Sequence, residues 1–489
     1  MEKILLIFAV VLILSVFSTK ISEKFNIPLL IVFIFIGMVM GSEGLGNIYF
    51  DNHTFAYFVA TVALSFILFT GGLQTDYKQI LPILKEGIGL SVIGVFLNAV
   101  IFAIPIYYLT NFTVLESLLA SATVASTDAA AVFSILGFSK IKLKSNVKNL
   151  LEFESGSNDP MAYVLVIIFI TMITAETGHG ILYYIIFFIL QMAIGAGMGF
   201  AIGHLTKFIM EKAQMPIEEL YAILVVGILF FTFSATNILH GNGFLAIYIL
   251  GMMIRSKKFL YKNSTIKFFS VYSWFMQITL FICLGLLVFP SRLFMFAGWG
   301  IILAVILIFA VRPAVVFLTF YIIKSKNFDF KSKIFLSWGG LKGAVPIVFA
   351  IYTMVNLVPQ SNEIFNLIFF IVLVSVLIQG STLVPLAKKL NLVKIGGEHI
   401  SDKSDTENLD YFEDQLLELS ISSESHFAGK KISEVKLPEN SLITLIKRDK
   451  KHIHPNGKTV IVPNDRLVIM SPNKVEFFEY IESLTNNVS

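Results

Sequence analysis

Long apolar runs separated by short polar segments occupy the chain from its start to about residue 390. A helix needs ~20 apolar residues to cross ~30 Å of hydrocarbon, and fewer where neighbouring helices bury it. Thirteen runs meet this description, and each predicts a membrane span. They lie near residues 3–19, 28–46, 55–73, 86–109, 113–139, 150–174, 181–206, 217–238, 243–256, 268–289, 293–323, 333–357 and 363–390.

The first run is interpreted as a retained helix and not as a signal peptide. It lacks a small-residue cleavage site before Lys20, and further spans follow it.

The connections between the runs alternate in charge, and Arg292 is the main exception. Cytoplasmic loops carry an excess of Lys and Arg, so this alternation supports both the span count and an orientation. We expect a multi-pass protein of the cell (inner) membrane, with its N-terminus outside and its C-terminus in the cytoplasm. The basic groups that recur in every second connection are Lys20/Lys24, Lys78/Lys85, Lys140/Lys142/Lys144/Lys148, Lys207/Lys212, Arg255/Lys257/Lys258/Lys262/Lys267 and Lys324/Lys326/Lys331/Lys333.

The pattern changes after Lys388-Lys389. A polar linker follows, and then short alternating segments typical of strands appear, separated by Gly, Pro and Asn turn signals. We predict a transmembrane domain over 1–392, a linker over 393–412 and a small cytoplasmic α+β domain over 413–489. The predicted elements of that domain are strands at Leu416–Ile421, Ser441–Ile446, Thr459–Val462 and Arg466–Ile469, and a final helix at Asn473–Ser483.

Composition agrees with a membrane protein. Hydrophobic residues make up 56% of the 489 residues, charged residues make up 14%, and the mean hydropathy is +0.79. The surface of a soluble domain of this size would need far more charge. The net charge of +4 gives no indication of a nucleic-acid partner, and the single cysteine, Cys283, excludes disulfides within the chain and cysteine metal sites. No organic cofactor is expected.

Span six contains the most unusual chemistry, with Glu152, Glu154 and Asp159 in or beside an apolar run. A charged residue at the centre of a span costs ~2.5–3.5 kcal/mol on insertion scales, so such residues usually have a function. Ser155 and Asp159 are four residues apart and lie on one strip of a helix, as do Glu154 and Asn158. These oxygen-bearing strips suit a small hard cation, or a proton in its place.

Two other spans contain residues that break helices. Span five contains Ser126-Thr127-Asp128 among alanines, and span twelve contains Trp338-Gly339-Gly340-Leu341-Lys342-Gly343-Ala344-Val345-Pro346. The two spans occupy corresponding places in two halves, spans one to six and eight to thirteen. Paired interrupted segments are typical of inverted-repeat transporters with a binding site near the midplane. The predicted fold class is therefore an all-α polytopic membrane protein of about 13 transmembrane helices, with inverted repeats, broken helices and a small cytoplasmic α+β domain.

Each charged position also has a structural interpretation. Asp128 is either a helix cap or a cation ligand, and we favour the ligand. Glu152, four residues from Lys148, is interpreted as a charge at a helix end. Glu154 and Arg312 are expected to form a buried structural pair, because an isolated guanidinium in a helix bundle needs a partner.

Two further structural interpretations concern span twelve and the glycines. Lys342 either reaches the membrane surface or bonds to the carbonyls of a broken helix. The glycines of spans seven and nine are interpreted as packing positions, at 195, 197, 199, 203, 241, 243 and 251.

Five segments together resemble the cation/proton antiporter-1 family of NhaP type, over residues 1–390 and in the family's order. The resemblance implies a thirteen-helix fold in which a core domain moves against a dimerisation domain, and therefore a homodimer. The matching segments are Ser126–Val132, Glu154–Pro160, Gly243–Tyr248, Arg312-Pro313 and Trp338–Pro346.

The resemblance also implies residue roles. Asp159 resembles the residue that binds either the cation or the proton, so a monovalent metal ion is expected there. Asn158 resembles the partner found in electroneutral exchangers, and Ser155, Thr127 and Asp128 resemble the other positions of the cation site. The remaining positions resemble a stabilising ion pair, Glu154 with Arg312, and a support for the broken helix, Lys342 with Gly340 and Gly343.

Two residues depart from the family pattern. Thr70 stands where many relatives have an acidic residue, so an accessory carboxylate is missing. Lys342 stands where the family usually has arginine, which keeps the positive charge but loses the bidentate fork.

The tail resembles RCK C-terminal (TrkA-C) domains through Phe427–Ile432 and Pro463–Leu467. Its presence behind an antiporter is similar to the potassium/proton branch, so K⁺ is favoured over Na⁺ as the transported ion. The tail is expected to regulate transport by binding a small ligand such as a nucleotide, or the partner subunit's tail.

The predicted function is electroneutral exchange of K⁺ for H⁺ across the membrane by competition at Asp159, serving pH and cation homeostasis. The alternative is Na⁺/H⁺ exchange. A channel is disfavoured because no repeated filter-like loop is visible. A membrane-anchored sensor would not need acids in spans five and six.

Overall fold

The structure is a computed structural model. It describes residues 9–18, 20, 28–139, 141, 143–174, 180–212, 217, 219–256, 262–393, 416–421, 425, 427–435, 437–438, 441–448 and 451–471. The chain divides into two units, Met1–Ile395 and Gly396–Ser489, and this division falls within the predicted linker.

The membrane unit is a bundle of helices. In chain order they are α1 (Ala9–Ser18), α2 (Leu29–Met40), α3 (His53–Gln74), α4 (Tyr77–Leu109), α5 (Val114–Thr123), α6 (Ala129–Phe138), α7 (Ser145–Thr174), α8 (Ile181–Lys212), α9 (Glu219–Ile238), α10 (Gly243–Arg255), α11 (Lys262–Leu286), α12 (Pro290–Met295), α13 (Ala297–Ile322), α14 (Phe330–Trp338), α15 (Ala344–Val355) and α16 (Ser361–Lys389).

Each predicted apolar run coincides with one helix or with a pair of helices. In the described part of the chain, eight helices are long and apolar enough to cross a membrane, and five shorter apolar helices accompany them. The runs near 113–139 and 333–357 each contain two short helices, α5 with α6 and α14 with α15. The predicted class, a mainly helical membrane protein with broken helices and a small α+β domain, is confirmed.

The two interruptions have different local causes. Between α5 and α6, Ser126, Thr127 and Asp128 are residues that favour caps and turns over helix interiors, and Asp128 caps the start of α6. Between α14 and α15, Gly339, Gly340 and Gly343 are poor helix formers. Pro346 lies in the first turn of α15, where its missing N–H costs nothing because first-turn N–H groups have no partner within the helix.

Two long helices also contain wider π-type turns, at Gly89–Gly94 in α4 and Leu307–Val311 in α13. The second lies immediately before Arg312-Pro313. A proline inside a helix removes a hydrogen bond and clashes with the preceding turn, and a wider turn relieves that clash. Single π turns occur often at functional sites. Both segments belong to helices that approach the ion pair described below.

Glycines let several helices approach closely. Cβ atoms built on Gly195, Gly199 and Gly203 of α8 would lie 2.6–2.8 Å from atoms of α10 and of Asn242, the residue before it. Gly251 of α10 packs in the same way against the backbone of α3. These positions do serve packing, as predicted, because the absence of a side chain allows close backbone approach. Gly197 differs, since a Cβ there would meet nothing within 4 Å.

The tail unit contains a four-stranded sheet of order β1-β4-β2-β3, with β1 at Leu416–Ser420, β2 at Leu442–Arg448, β3 at Lys451–Ile453 and β4 at Arg466–Met470. The neighbouring strands are antiparallel. Its core includes Ile421, Phe427, Ile446, Leu467 and Ile469.

The prediction of a strand at Thr459–Val462 was wrong. That segment makes one isolated bridge, between Val460 and Lys431, and its backbone bonds to the turn at residues 429–432, with no backbone pairing to the four described strands. Lys451–Ile453 is the strand that pairs with β2. The predicted helix at 473–483 and residues 394–412 of the predicted linker lie outside the described residues.

Candidate functional site

The two helix interruptions cross each other inside the membrane unit. The backbone N–H of Asp128 donates to the Leu341 carbonyl, with 2.8 Å between N and O. The contact is close, because a Cβ on Gly343 would overlap the Asp128 carboxylate. Non-helical backbone at this depth is tolerated where it is buried in protein or lines a cavity. The crossing brings the starts of α6 and α15 together.

Asp128 caps α6. Its Oδ1 atom accepts a hydrogen bond from the backbone N–H of Ala131, with 3.0 Å between the two atoms. The capping role, the less favoured of the two interpretations of this residue from sequence, is therefore present in the structure. A carboxylate is also favoured at a helix N-terminus by the helix dipole. Its contact with Gly343 puts the Asp128 carboxylate beside the residue that precedes α15 as well.

Helix α7 runs past the first interruption and holds it through Ser155. The Ser155 hydroxyl donates to the Thr127 carbonyl at 2.7 Å and accepts from the backbone N–H of Ala129 at 2.9 Å. One side chain thus satisfies a carbonyl before the Asp128 cap and an N–H after it. Buried backbone groups left without such partners would be costly.

Asn158 holds the same interruption one turn further along α7. Its Nδ2 donates to Thr127 Oγ1 at 2.6 Å, and its Oδ1 accepts from the backbone N–H of Thr127 at 3.4 Å. Asn158 is 1% exposed. The predicted site residues Thr127, Asp128, Ser155 and Asn158 are therefore brought together in one cluster.

Asp159 lies on the same helix and is 5% exposed. Its charged neighbours are Asp128 and Lys342, and the Ser126 hydroxyl also lies close. Among the described residues, Asp159 Oδ1 and Ser126 Oγ are buried and have no hydrogen-bond partner. A buried carboxylate oxygen without a partner is expensive, so this atom is the part of the site best suited to a cation or a proton.

Lys342 extends from the second interruption to the first. It is 2% exposed, and its Nζ donates to the Ser126 carbonyl at 2.9 Å. The interpretation that this lysine bonds to broken-helix carbonyls therefore agrees with the geometry. Its charged neighbours are Arg312, Glu154 and Asp159.

Glu154 and Arg312 form a buried ion pair. Arg312 Nη2 lies 2.5 Å from Glu154 Oε1, and the two side chains are 4% and 1% exposed, respectively. The guanidinium packs on Gly340, where a Cβ would lie 2.4 Å from Arg312 Nε. Gly340 thus leaves the space that the guanidinium occupies, and the pair connects α7 to the second interruption.

Two residues that were weighed for the site lie apart from it. Glu152 pairs with Lys148 one turn earlier in α7, at 3.4 Å. Thr70 donates to the carbonyls of Phe66 and Phe269, at 2.7 and 3.3 Å, so its hydroxyl is used in helix packing.

Sequence reasoning left three residues out of the site. Ser126 precedes Thr127 directly, so its place in the broken span was the available signal. Ser375 and Gln379 of α16 contact the second interruption, and both are buried. Two polar residues four apart in an otherwise apolar run were the signal for this pair.

The buried charges of the cluster do not balance. With all five groups ionised, Asp128, Glu154 and Asp159 carry three formal negative charges, and Arg312 and Lys342 carry two formal positive charges. The sum is one net negative charge. A bundle interior disfavours an uncompensated charge, so the cluster can take one monovalent cation or one proton.

Models of two known families match the chain. The model described as "Sodium/hydrogen exchanger, transmembrane" matches residues 9–389, and the TrkA-C domain model matches residues 416–479. Both resemblances inferred from the sequence motifs are confirmed.

Three curated relatives show what the chain is similar to. A K⁺/H⁺ antiporter NhaP2 of Shewanella sp. (strain ANA-3) is 32% identical over 483 residues, covering 98% of this chain and 82% of the relative. A K⁺/H⁺ antiporter NhaP of Alkalimonas amylolytica is 34% identical over 388 residues, covering 79% and 67%. A Na⁺/H⁺ antiporter NhaH of Halobacillus dabanensis is 24% identical over 416 residues, covering 80% and 98%.

A solved structure shares the fold. The sodium proton antiporter MjNhaP1 from Methanocaldococcus jannaschii superposes with a TM-score of 0.69 at 22% identity, covering 80% of this chain and 99% of that one. At this identity, the likeness shows the fold alone.

Proposed function

Because the chain belongs to the sodium/hydrogen exchanger family, whose members are cation/proton antiporters, we propose that it exchanges one K⁺ for one H⁺ at the Asp159 carboxylate. Such a protein is a secondary transporter and not an enzyme. The observation that carries the proposal is Asp159 Oδ1, a buried carboxylate oxygen with no hydrogen-bond partner in the described part of the chain, beside the crossing of two broken helices.

Oxygen atoms around Asp159 supply what a monovalent cation requires, since hard cations are bound by carboxylate, hydroxyl and carbonyl oxygens. We assign the cation to the Asp159 carboxylate with help from the Ser126 hydroxyl and Thr127 Oγ1. Thr127 Oγ1 accepts one hydrogen bond, from Asn158, and a hydroxyl oxygen has a second lone pair for a cation. Ser155 and Asn158 position Thr127, and Asp128 adds negative charge.

Competition at one carboxylate couples the two ions. When Asp159 carries a proton, its oxygens no longer attract a cation, and when a cation is bound the proton is displaced. Each loaded state brings the net charge of the cluster from minus one to zero. Both loaded states then cross the low-dielectric interior at similar cost, while the empty, charged state crosses poorly. This asymmetry favours one-for-one exchange over leak.

The charge balance also supports electroneutral exchange, because Glu154 is held by Arg312 and leaves Asp159 as the exchanging acid. An electrogenic exchanger would need a second acid that changes its charge. A potential-driven cation uptake that generates current in proteoliposomes would overturn the one-for-one stoichiometry.

K⁺ is favoured over Na⁺ on the basis of the relatives. The relatives at 32% and 34% identity are named K⁺/H⁺ antiporters, while the relative at 24% is named a Na⁺/H⁺ antiporter. Side-chain chemistry alone does not separate the two ions, since both prefer oxygen ligands. Na⁺/H⁺ exchange is therefore the second candidate function.

The test is cation-induced dissipation of a pH gradient in vesicles, read by fluorescence dequenching with K⁺, Na⁺ and Li⁺. The wild type should respond to K⁺ at lower concentrations than to Na⁺. Asp159→Asn should abolish the response while the protein remains folded, because an amide cannot exchange a proton. Glu152→Gln is the matched control on the same helix and should exchange normally. Normal exchange by Asp159→Asn would overturn the site.

We further propose a homodimer in the cell (inner) membrane, with the N-terminus outside and the C-terminus in the cytoplasm. The tail would regulate exchange by binding a small ligand such as a nucleotide. The exchange would contribute to pH and cation homeostasis. Its compact sheet, in a unit separate from the membrane unit, supports a regulatory role. A truncation after residue 395 should exchange K⁺ but lose any response to added nucleotide. An unchanged response in the truncated protein would contradict regulation through the tail.

A further inference from the structure

The second interruption is held by a helix in the same way as the first. Helix α7 bonds to the residue before the Asp128 cap through Ser155, and α16 bonds to the residue before the Gly343 cap through Ser375. In the first case Ser155 Oγ donates to the Thr127 carbonyl, and in the second Ser375 Oγ accepts from the Lys342 N–H at 3.2 Å. Both serines thus contact the backbone just before the second half-helix starts.

The correspondence between α7 and α16 extends to the residue four positions after each serine. It is Asp159 after Ser155, and Gln379 after Ser375. Residues four apart lie on one strip of a helix, so each of these residues lies about one turn beyond its serine. Inverted-repeat transporters are built from two such halves, and α7 and α16 fall at corresponding places in them. From these matched contacts we infer that Ser375 and Gln379 are the second-half equivalents of Ser155 and Asp159, and that they are positioning residues for Lys342.

Gln379 differs from Asp159 in that its polar atoms have partners. Its Nε2 donates to the Trp338 carbonyl at 2.8 Å, and its Oε1 accepts from Ser375 Oγ at 2.5 Å. The Trp338 carbonyl ends α14 and has no partner within its helix. Gln379 and Ser375 therefore form a bridge from the last residue of α14 to the N–H of Lys342, across the interruption. Both side chains are at most 1% exposed.

The bridge determines where the Lys342 charge lies. With its backbone fixed by Ser375, Lys342 can direct its Nζ to the Ser126 carbonyl at 2.9 Å. Loss of the bridge frees residues 339–343, and the ammonium group then loses its fixed distance from the acids of the cluster. The inference rests on the proposed exchange at Asp159, because the effect of the bridge on transport is transmitted through that site.

A glutamine also explains why this half holds no exchanging acid. A carboxylate at 379 could not donate to the Trp338 carbonyl, whereas a neutral carboxyl group could. Gln379→Glu should therefore work where it is protonated and fail as the pH rises, whereas Gln379→Met should be impaired at every pH. The elements packed against α16, with the residues that flank them, carry the charged residues Glu116, Asp128, Arg292, Arg312, Lys331, Lys333 and Lys342, and Arg312 also contacts Leu336 and Gly340.

The experiment compares full-length wild type, Gln379→Glu, Gln379→Met and Ser375→Ala in the vesicle assay, each across a pH series. Buried carboxyl groups titrate as high as pH ~8–9, so the series should extend that far. We expect Gln379→Met and Ser375→Ala to raise the K⁺ concentration for half-maximal response about fivefold at all pH values, because each variant removes two hydrogen bonds of the buried bridge. For Gln379→Glu, the K⁺ concentration for half-maximal response should be close to the wild-type value at acid pH. As the pH rises, it should increase relative to the wild-type value by at least about tenfold.

Thr353→Val is the control, since the Thr353 hydroxyl is buried in α15 and bonds to its own helix at Ala350. It should leave the K⁺ response unchanged. K⁺-dependent thermal stabilisation of the purified proteins gives a second readout that does not require transport. If Gln379→Met fails to fold, Ser375→Ala and the pH response of Gln379→Glu still decide the matter.

Two results separate this inference from the proposed function. If Asp159→Asn is inactive but the Gln379 variants keep the wild-type K⁺ response and pH profile, the positioning role is wrong and the exchange site stands. If Gln379→Glu and Gln379→Met show the same loss at all pH values, the donated hydrogen bond to Trp338 is not what matters, and the inference also fails.

Discussion

The two helix interruptions meet at one crossing but are built from different chemistry. The first, between α5 and α6, contains Ser126, Thr127 and Asp128, and it presents hydroxyl, carboxylate and carbonyl oxygens. The second, between α14 and α15, contains glycines and Lys342, and it presents an ammonium group on a backbone with little side-chain bulk.

The supporting helices show the same contrast. On α7, the last member of the strip is Asp159, which has a buried oxygen without a partner in the described part of the chain. On α16, the corresponding member is Gln379, whose amide oxygen and nitrogen both have partners. The first half is therefore suited to bind a cation, and the second half supplies a fixed positive charge and steric room. Similar backbone architecture thus serves two purposes because a few side chains differ.

The largest effect should come from breaking the ion pair that connects the two halves. Arg312→Ala leaves Glu154 buried without its partner, and such a loss costs about 3–5 kcal/mol. We expect a lower yield and a lower midpoint of thermal unfolding of the purified protein in detergent. A midpoint equal to that of the wild type would show that the pair is not needed for stability.

The double variant Arg312→Met with Glu154→Leu distinguishes pairing from packing. Replacing a buried ion pair with apolar residues of similar volume is often neutral. The double variant should therefore recover most of the stability lost in Arg312→Ala. A double variant as unstable as Arg312→Ala would assign the cost to lost packing around the guanidinium.

A smaller effect should come from crowding the crossing itself. Gly343→Ala puts a methyl group where the Asp128 carboxylate lies, and overpacking of this kind typically costs about 1–3 kcal/mol. The carboxylate must move, so the K⁺ response in the vesicle assay should fall at least about tenfold. Gly137→Ala in α6 is the matched control, because its Cβ would meet nothing within 4 Å. Equal responses from the two variants would mean that the crossing tolerates the methyl group.

The smallest effect concerns the start of the helix that leads to each interruption. Thr113 and Glu116 form a reciprocal cap on α5, while Asp329 caps α14 by accepting from the backbone N–H of Ser332 at 2.9 Å. Asp329→Ala should destabilise α14 by about 1 kcal/mol, the usual cost of losing such a cap. Faster hydrogen exchange at the first amides of α14 measures this. Thr113→Ala should raise exchange in α5 and leave α14 unchanged.

The loss of stability caused by Asp329→Ala should depend on pH. Hydrogen bonds from the hydroxyl and the backbone N–H of Ser332 hold the pKa of Asp329 below its ordinary value of 3.8. A lowered pKa in the folded state contributes stability that is fully present above the unfolded pKa and is lost as the pH falls through the folded one. The difference between wild type and Asp329→Ala should therefore be constant near neutral pH and shrink below about pH 4. A difference that grows on acidification would contradict this sign.

Much of the fold follows from local rules. Every predicted apolar run coincides with described helix, and both interruptions fall where hydroxyl residues, glycines and proline weaken the helix. The tail was predicted less well, because a short segment such as Thr459–Val462 alternates like a strand whether or not it has a partner in the sheet. Pairing partners are far apart in sequence, so local pattern does not reveal which segments will bond.

The site was predicted from spacing and from resemblance, and this approach had a physical limit. Spacing placed Ser155 and Asp159 on one strip of α7, since the helical period determines which residues share a face. It did not reveal that Ser126 lies close to Asp159, or that Gln379 bridges the second interruption. These contacts connect segments more than 30 residues apart, and only packing decides them.

The sequence by itself determined the membrane class, the two broken spans and the set of buried charges, because hydropathy and helix propensity act over a few neighbouring residues. The tertiary structure alone decided the crossing of the two interruptions, where the Asp128 N–H bonds to the Leu341 carbonyl and Lys342 reaches Ser126. The reason is that backbone groups released from a helix inside a membrane must find partners within the protein. Which partners they find depends on how distant helices pack.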